Sequence, residues 1–189
     1  MIHNNIVTNC DKIAFMQKYG DLLQEIFSKR GITDVTEAEA FIDPSYERDL
    51  HDPFKMRDME KACVRVFNAV EAGEKIVNKI GYKNFEVYIP QRNSEGYGLN
   101  MSAIEQFANA DAKLLITVDL GITAVEEVAQ AEVDGIDVII TDHHLPHEIL
   151  PRAYAILNPK VDDYPEKMLC GAGVAFKFAQ GFIKKYGEY

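Results

Sequence analysis

Val138-Ile139-Ile140-Thr141-Asp142-His143-His144 is the stretch on which the fold of this chain turns. Four apolar or β-branched residues in a row read as a strand buried on both faces, and such runs occur in parallel sheets. The run stops at three consecutive polar side chains. A second run, Leu114-Leu115-Ile116-Thr117-Val118, stops at Asp119-Leu120-Gly121. In parallel α/β sheets ligands sit beyond the carboxyl ends of the strands, so both stops fall where sites form. Packing explains three adjacent polar residues after a buried strand poorly. Carboxylates suit hard divalent cations, and imidazole adds a ligand suited to manganese, iron or zinc. A carboxylate on one strand and a histidine on its neighbour can converge on one ion. Asp119 taken alone also reads as a turn or capping aspartate.

Outward from these runs, β-rich and helical segments alternate. Lys75 to Val77, Phe85 to Ile89 and Ala155 to Leu157 read as further strands. Ser102 to Ala110, Thr123 to Ala131 and Gly171 to Tyr186 read as helices. The alternation predicts an α/β fold with a mostly parallel sheet flanked by helices. Residues 1–73 carry a different pattern and read as an N-terminal helical lead-in, with the α/β domain at 74–189. In the lead-in, Lys12 to Lys29 has apolar residues near a 3.6 period and Gly31 as its stop. Thr36 and Glu39 are spaced as a capping box for a helix that ends near Asp43-Pro44. His51-Asp52-Pro53 marks a turn, and Met56 to Ala72 a third helix ending at Gly73.

The chain has 189 residues, 47% hydrophobic and 26% charged, which fits an ordered globular protein. No apolar run reaches the ~18 residues of a membrane span, and no secretory signal is expected at Met1-Ile2-His3. The expected compartment is the cytoplasm. Three scattered cysteines, with no C-x-x-C pair, argue against a disulfide framework and a cysteine zinc site. Thirty acids against twenty bases give a net charge of −10. A protein that coats DNA by charge alone would be basic, so nucleic acid would have to be handled at a local, metal-screened site.

Ile139-Ile140-Thr141-Asp142-His143-His144-Leu145-Pro146 resembles the signature motif of the DHH phosphoesterase superfamily. The surrounding text resembles its RecJ-type branch, exonucleases specific for single-stranded DNA. Tyr88-Ile89-Pro90-Gln91-Arg92 with Glu95-Gly96-Tyr97-Gly98, Thr117-Val118-Asp119-Leu120-Gly121, Ala155-Ile156-Leu157-Asn158-Pro159 and Gly171-Ala172-Gly173-Val174 follow in the family's order. Arg30-Gly31-Ile32, Phe41-Ile42-Asp43-Pro44 and Leu50-His51-Asp52-Pro53-Phe54 resemble the family's lead-in helices.

The resemblance implies a DHH phosphoesterase domain that hydrolyses phosphodiesters 5′ to 3′ with two divalent ions, Mn2+ or Mg2+. Single-stranded DNA is the implied partner, with DNA-repair proteins beside it, in repair and recombination. Asp119 would bridge the ions and His143 would ligate one. His144 would face the scissile phosphate, and Asp142 would orient the histidines. Arg92 reads as a phosphate contact or as a solvated surface arginine. Tyr97 reads as a base-stacking platform or a packing plug. Gly98 reads as a place for substrate to approach the backbone, or as a turn.

Two departures from the family pattern stand out. The family's Asp-x-Asp element after the first strand is absent between residues 64 and 110, and only seven residues separate Val77 from Phe85. A parallel crossover needs about a dozen residues, so an internal deletion of roughly twenty, the size of a turn and a short helix, is the economical reading. The family's last metal aspartate and its further domains would lie beyond Tyr189. The expected outcome is an incomplete DHH domain with low or absent nuclease activity and marginal stability. The alternatives are a non-catalytic module that binds nucleic acid or a partner, and a phosphodiesterase acting on small substrates.

Overall fold

The structure, a computed structural model, describes residues 19–77, 84–89 and 98–187. It divides into two compact units, Met1–Leu50 and His51–Tyr189. The helix that the change of pattern at residue 73 assigns to the lead-in packs within the second of them.

The first unit is helical. α1 (Asp21–Lys29), α2 (Val35–Ile42) and the short α3 (Tyr46–Asp49) follow one another. Gly31 takes a left-handed φ of 72°, and the Ile32 N–H then reaches back to the Phe27 carbonyl at 3.0 Å, which closes α1. The capping box is not centred on Thr36. Asp34 is the N-cap and accepts the Glu37 N–H at 2.9 Å, while the Glu37 carboxylate returns to the Thr33 N–H at 3.3 Å. A carboxylate two residues upstream outcompetes the threonine hydroxyl. Phe27, wholly buried, is the centre of this unit's small core with Tyr19 and Ala38. The Tyr19 ring stands edge-on to it at 5.2 Å.

The second unit is a three-layer α/β/α sandwich. A 3-10 turn (Pro53–Lys55) leads into α4 (Met59–Glu71). Then come β1 (Ile76–Val77), β2 (Phe85–Glu86), α5 (Met101–Asn109), β3 (Leu114–Val118), α6 (Val125–Val133), β4 (Asp137–Thr141), β5 (Ala155–Leu157) and α7 (Gly171–Tyr186). The sheet order is β2-β1-β3-β4-β5, and every pairing is parallel. Residues alternate between its faces. Leu114, Ile116, Ile139 and Leu157 face α4 and α7. Leu115, Val138, Ile140 and Ile156 face α5 and α6. This explains why the strands read as unbroken apolar runs rather than as alternations.

β1 and β2 pair in parallel, Ile76 opposite Phe85 and Val77 opposite Glu86, with seven residues between them. Residues 78–83, which link them, lie outside the described residues, and the expected deletion falls there. Beyond β2 the chain leaves the sheet, with Val87 45% and Ile89 78% exposed.

Side chains tie the layers together. Arg65 of α4 meets Asp137 at 2.5 Å, Glu74 at 2.8 Å and the Lys113 carbonyl at 3.1 Å, at the amino ends of β3 and β4. Asp58 accepts the Ile156 N–H of β5 at 2.9 Å. Lys177 of α7, 3% exposed, donates to the His51 carbonyl at 2.7 Å. Asp52 caps the 3-10 turn through the Phe54 N–H, so His51-Asp52-Pro53 is a turn. Among the described residues, no helix is long and apolar enough to cross a membrane.

Candidate metal centre

β3 and β4 run in register, Val118 opposite Thr141, so the residues that follow each strand emerge side by side. Asp119 follows β3, and Asp142-His143-His144 follows β4. Two threonines lock these ends. Thr141 Oγ1 donates to the Thr117 carbonyl at 2.6 Å, and Thr117 Oγ1 donates to the Leu120 carbonyl at 2.8 Å. Asp119 donates its N–H to the Thr141 carbonyl at 2.9 Å. Its φ of 64° lies in the left-handed region, which aspartate tolerates better than most residues. Gly121, at φ 111°, completes the turn, and a Cβ there would lie 3.0 Å from Thr117 Oγ1.

Asp142 is 1% exposed, and its carboxylate is saturated with donors. Oδ2 accepts the Ile122 N–H at 3.0 Å. Oδ1 accepts the His143 N–H at 2.7 Å and the His144 N–H at 3.2 Å, and lies 2.7 Å from His144 Nδ1. Burial pushes this carboxyl up. The bonds from the Ile122 N–H, the His144 ring and the two histidine N–H groups outweigh it and hold the group below its ordinary value. Asp142 therefore has little capacity left for an ion. It orients His144, so that ring's Nε2 is directed away from Asp142.

His143 Nε2 lies 3.1 Å from Asp119 Oδ1. Two cis ligands of an octahedral ion, each ~2.1 Å from the metal, stand about 3 Å apart. The pair is thus spaced for one shared cation. The ligand atoms of Asp119, His143 and His144 all lie within 4.8 Å of one another, and their side chains are 53%, 29% and 44% exposed. This open cluster of one carboxylate and two imidazoles can hold a divalent ion and leave positions for water or phosphate oxygens.

Asp119, Asp142, His143 and His144 come together in the fold. Gly98 does not join them in any described contact; it takes φ 100° two residues before Asn100, the N-cap of α5. Arg92 and Tyr97 lie outside the described residues.

Three further residues shape the site. Gly171, the first residue of α7, lies directly against Asp119: a Cβ there would sit 2.1 Å from Asp119 Oδ1 and 2.4 Å from its Cγ. Asn158 and Lys160, after β5, donate to the backbone of His144 and His143. Nothing local in the sequence marks these contacts. The only signal is that Asn158 and Gly171 belong to stretches that match the family in order.

Comparison with known proteins decides the family. The model of the DHH family, N-terminal domain, matches residues 58–189. The chain belongs to the DHH family. Within it, the likeness is to the RecJ type. The chain is 37% identical over 183 residues to the single-stranded-DNA-specific exonuclease RecJ of Bacillus subtilis, covering 86% of this chain and 23% of that protein. It is 32% identical over 177 residues to RecJ of Escherichia coli, covering 82% of this chain and 30% of that one. The chain thus spans between about a quarter and a third of the length of these relatives. Among solved structures, RecJ in complex with Mn2+ from Thermus thermophilus superposes with a TM-score of 0.69 over 93% of this DHH chain and 27% of that chain, at 20% identity. A manganese-bound exonuclease RecJ gives a TM-score of 0.63 over 73% of this chain and 40% of that one, at 23% identity. These two likenesses confirm the α/β fold.

Proposed function

We propose that this chain carries the metal-binding half of a 5′-to-3′ single-stranded-DNA exonuclease centre that takes manganese or magnesium. The observation that carries the reading is the convergence of Asp119, His143 and His144 within 4.8 Å at the carboxyl ends of β3 and β4. The names of the relatives support it, since they are single-strand-specific exonucleases and manganese complexes.

A bound divalent ion supplies Lewis-acid polarisation of a phosphoryl oxygen and an acidified water. Asp119 and His143 would hold the ion. His144, its Nδ1 tied to Asp142, presents Nε2 toward the phosphate. Asp142 keeps that tautomer and ring orientation. Arg92 is assigned to the phosphate backbone of the substrate, Tyr97 to a base and Gly98 to close approach of the strand. Two ions need more protein oxygens than the described residues gather here, so turnover by this chain is low. DNA-repair proteins are the expected partners, and the cytoplasm the expected compartment.

The test is manganese-dependent degradation of a 5′-labelled single-stranded oligonucleotide, run beside a Mn2+ titration and a His143→Ala control. The expected result is Mn2+ binding that the control loses, with slow or no cleavage. Mn2+ binding unchanged in His143→Ala would overturn the site. Brisk cleavage lost in the control would show that the partial ligand set suffices. Single-strand binding with no Mn2+ dependence would favour the non-catalytic reading.

A further inference from the structure

We infer that the loop after β5 is a clamp that sets the two histidines, with Asn158 and Lys160 as positioning residues. This rests on the metal-site reading above and names the parts that hold it in shape.

His143 and His144 follow the last residues of β4 and project from an irregular backbone. Asp142 fixes the ring of His144 through Nδ1, while the described carboxylate partner of the His143 ring is Asp119. Asp142 Oδ1 also accepts the His143 and His144 N–H groups, which leaves the two histidine carbonyls to be held from elsewhere. Asn158, wholly buried, donates its Nδ2 to the His144 carbonyl at 3.0 Å. Lys160 donates its ammonium to the His143 carbonyl at 2.5 Å. The two carbonyls are consecutive, so both peptide planes after the histidine Cα atoms are held from the same loop. That loop is itself preset. The Asn158 side-chain oxygen accepts the Lys160 N–H at 2.9 Å, and the Asn158 carbonyl accepts the Val161 N–H at 3.1 Å. The Asp142 N–H on the Leu157 carbonyl, at 3.0 Å, anchors the start of the same stretch.

A buried amide whose two ends both bond is a rigid spacer. The lysine adds a charge-assisted bond, which is stronger than a neutral one. Partners that orient metal-binding imidazoles typically change metal affinity by roughly 10–100-fold when removed.

The experiment compares the full chain with Asn158→Asp, Lys160→Met and Lys160→Arg. Asn158→Asp keeps shape and the acceptor but loses the donor. Lys160→Met keeps the stem but loses the charge, at a partly exposed position where folding is not at stake. The readouts are Mn2+ affinity, thermal midpoint and the side-chain NMR signals of His143 and His144 in metal-free protein. Expected are a roughly tenfold or greater loss of Mn2+ affinity in Asn158→Asp and Lys160→Met, recovery in Lys160→Arg, and displaced histidine signals. A thermal midpoint for Lys160→Met near that of the parent separates positioning from stability. Unchanged Mn2+ affinity and unchanged histidine signals in Lys160→Met would overturn the clamp. If the parent chain itself takes no Mn2+, the metal reading fails separately, and the histidine signals alone then decide the clamp: displaced signals uphold it and unmoved ones overturn it.

Discussion

At the scale of single residues, Gly171 carries a sharp consequence. It is the first residue of α7, and its hydrogen faces the Asp119 carboxylate. Alanine there would put a methyl carbon 2.1 Å from Oδ1. Because the clash is with the ligand itself, Gly171→Ala is expected to lower Mn2+ affinity by roughly tenfold or more while the helix still forms, since alanine is a better helix residue than glycine. Gly173→Ala is the control. Its new carbon would meet only the flexible Leu169 side chain at 3.2 Å, and Mn2+ titration should read no change. Cys63 behaves oppositely to an exposed thiol. Burial, with Glu60 adding to it, pushes its thiol up to about 12. A raised value means a protonated, unreactive group at every pH below it. At pH 8 a thiol reagent followed by peptide mapping should label exposed Cys170 and spare Cys63 until the chain is unfolded.

At the scale of elements, β4 is the organising strand. It lies between β3 and β5, and Ile139 and Ile140 are wholly buried on opposite faces. Ile139→Ala removes side-chain volume from the cluster shared with α4 and α7. The expected cost is about 2–5 kcal/mol, measured by denaturant unfolding, with the lower end reached only if neighbouring side chains collapse into the space. The other edge of the sheet is weaker. β1 and β2 are two residues each, and Val87 and Ile89 after β2 stand exposed. An early exchange of the β1 and β2 amides, ahead of β3 and β4, is the expected outcome, read by hydrogen exchange.

At the scale of the molecule, metal and fold should be linked. A ligand that binds only the folded state stabilises it by about 2.7 kcal/mol at a hundred times its dissociation constant. For a chain of this size that corresponds to a rise of roughly 5–10 °C in the melting of the sheet-bearing unit. His143→Ala should melt like the parent without Mn2+ and gain nothing when it is added. A parent midpoint indifferent to Mn2+ at that level would count against the site.

The set of elements and the chemistry at their ends are legible in the amino-acid order alone. Long apolar runs, helical periods and stop residues are local signals. They placed β3, β4, β5 and α7 within a residue of their bounds and put Asp142, His143 and His144 straight after a buried strand. Local signals also misled. Thr36 had the spacing of a cap, but Asp34 was the stronger acceptor and took the role. The tertiary structure alone decided which distant residues meet. Asp119 reaches His143 because β3 and β4 pair in register, Gly171 makes room for Asp119 because α7 starts beneath it, and Asn158 and Lys160 hold the histidine backbone from the next strand's loop. It also decided that α4 packs in the sheet-bearing unit, although the pattern changes only after it. These are contacts through space between segments far apart in the chain. Hydrophobic burial sets such pairings for the fold as a whole, and no single segment records them.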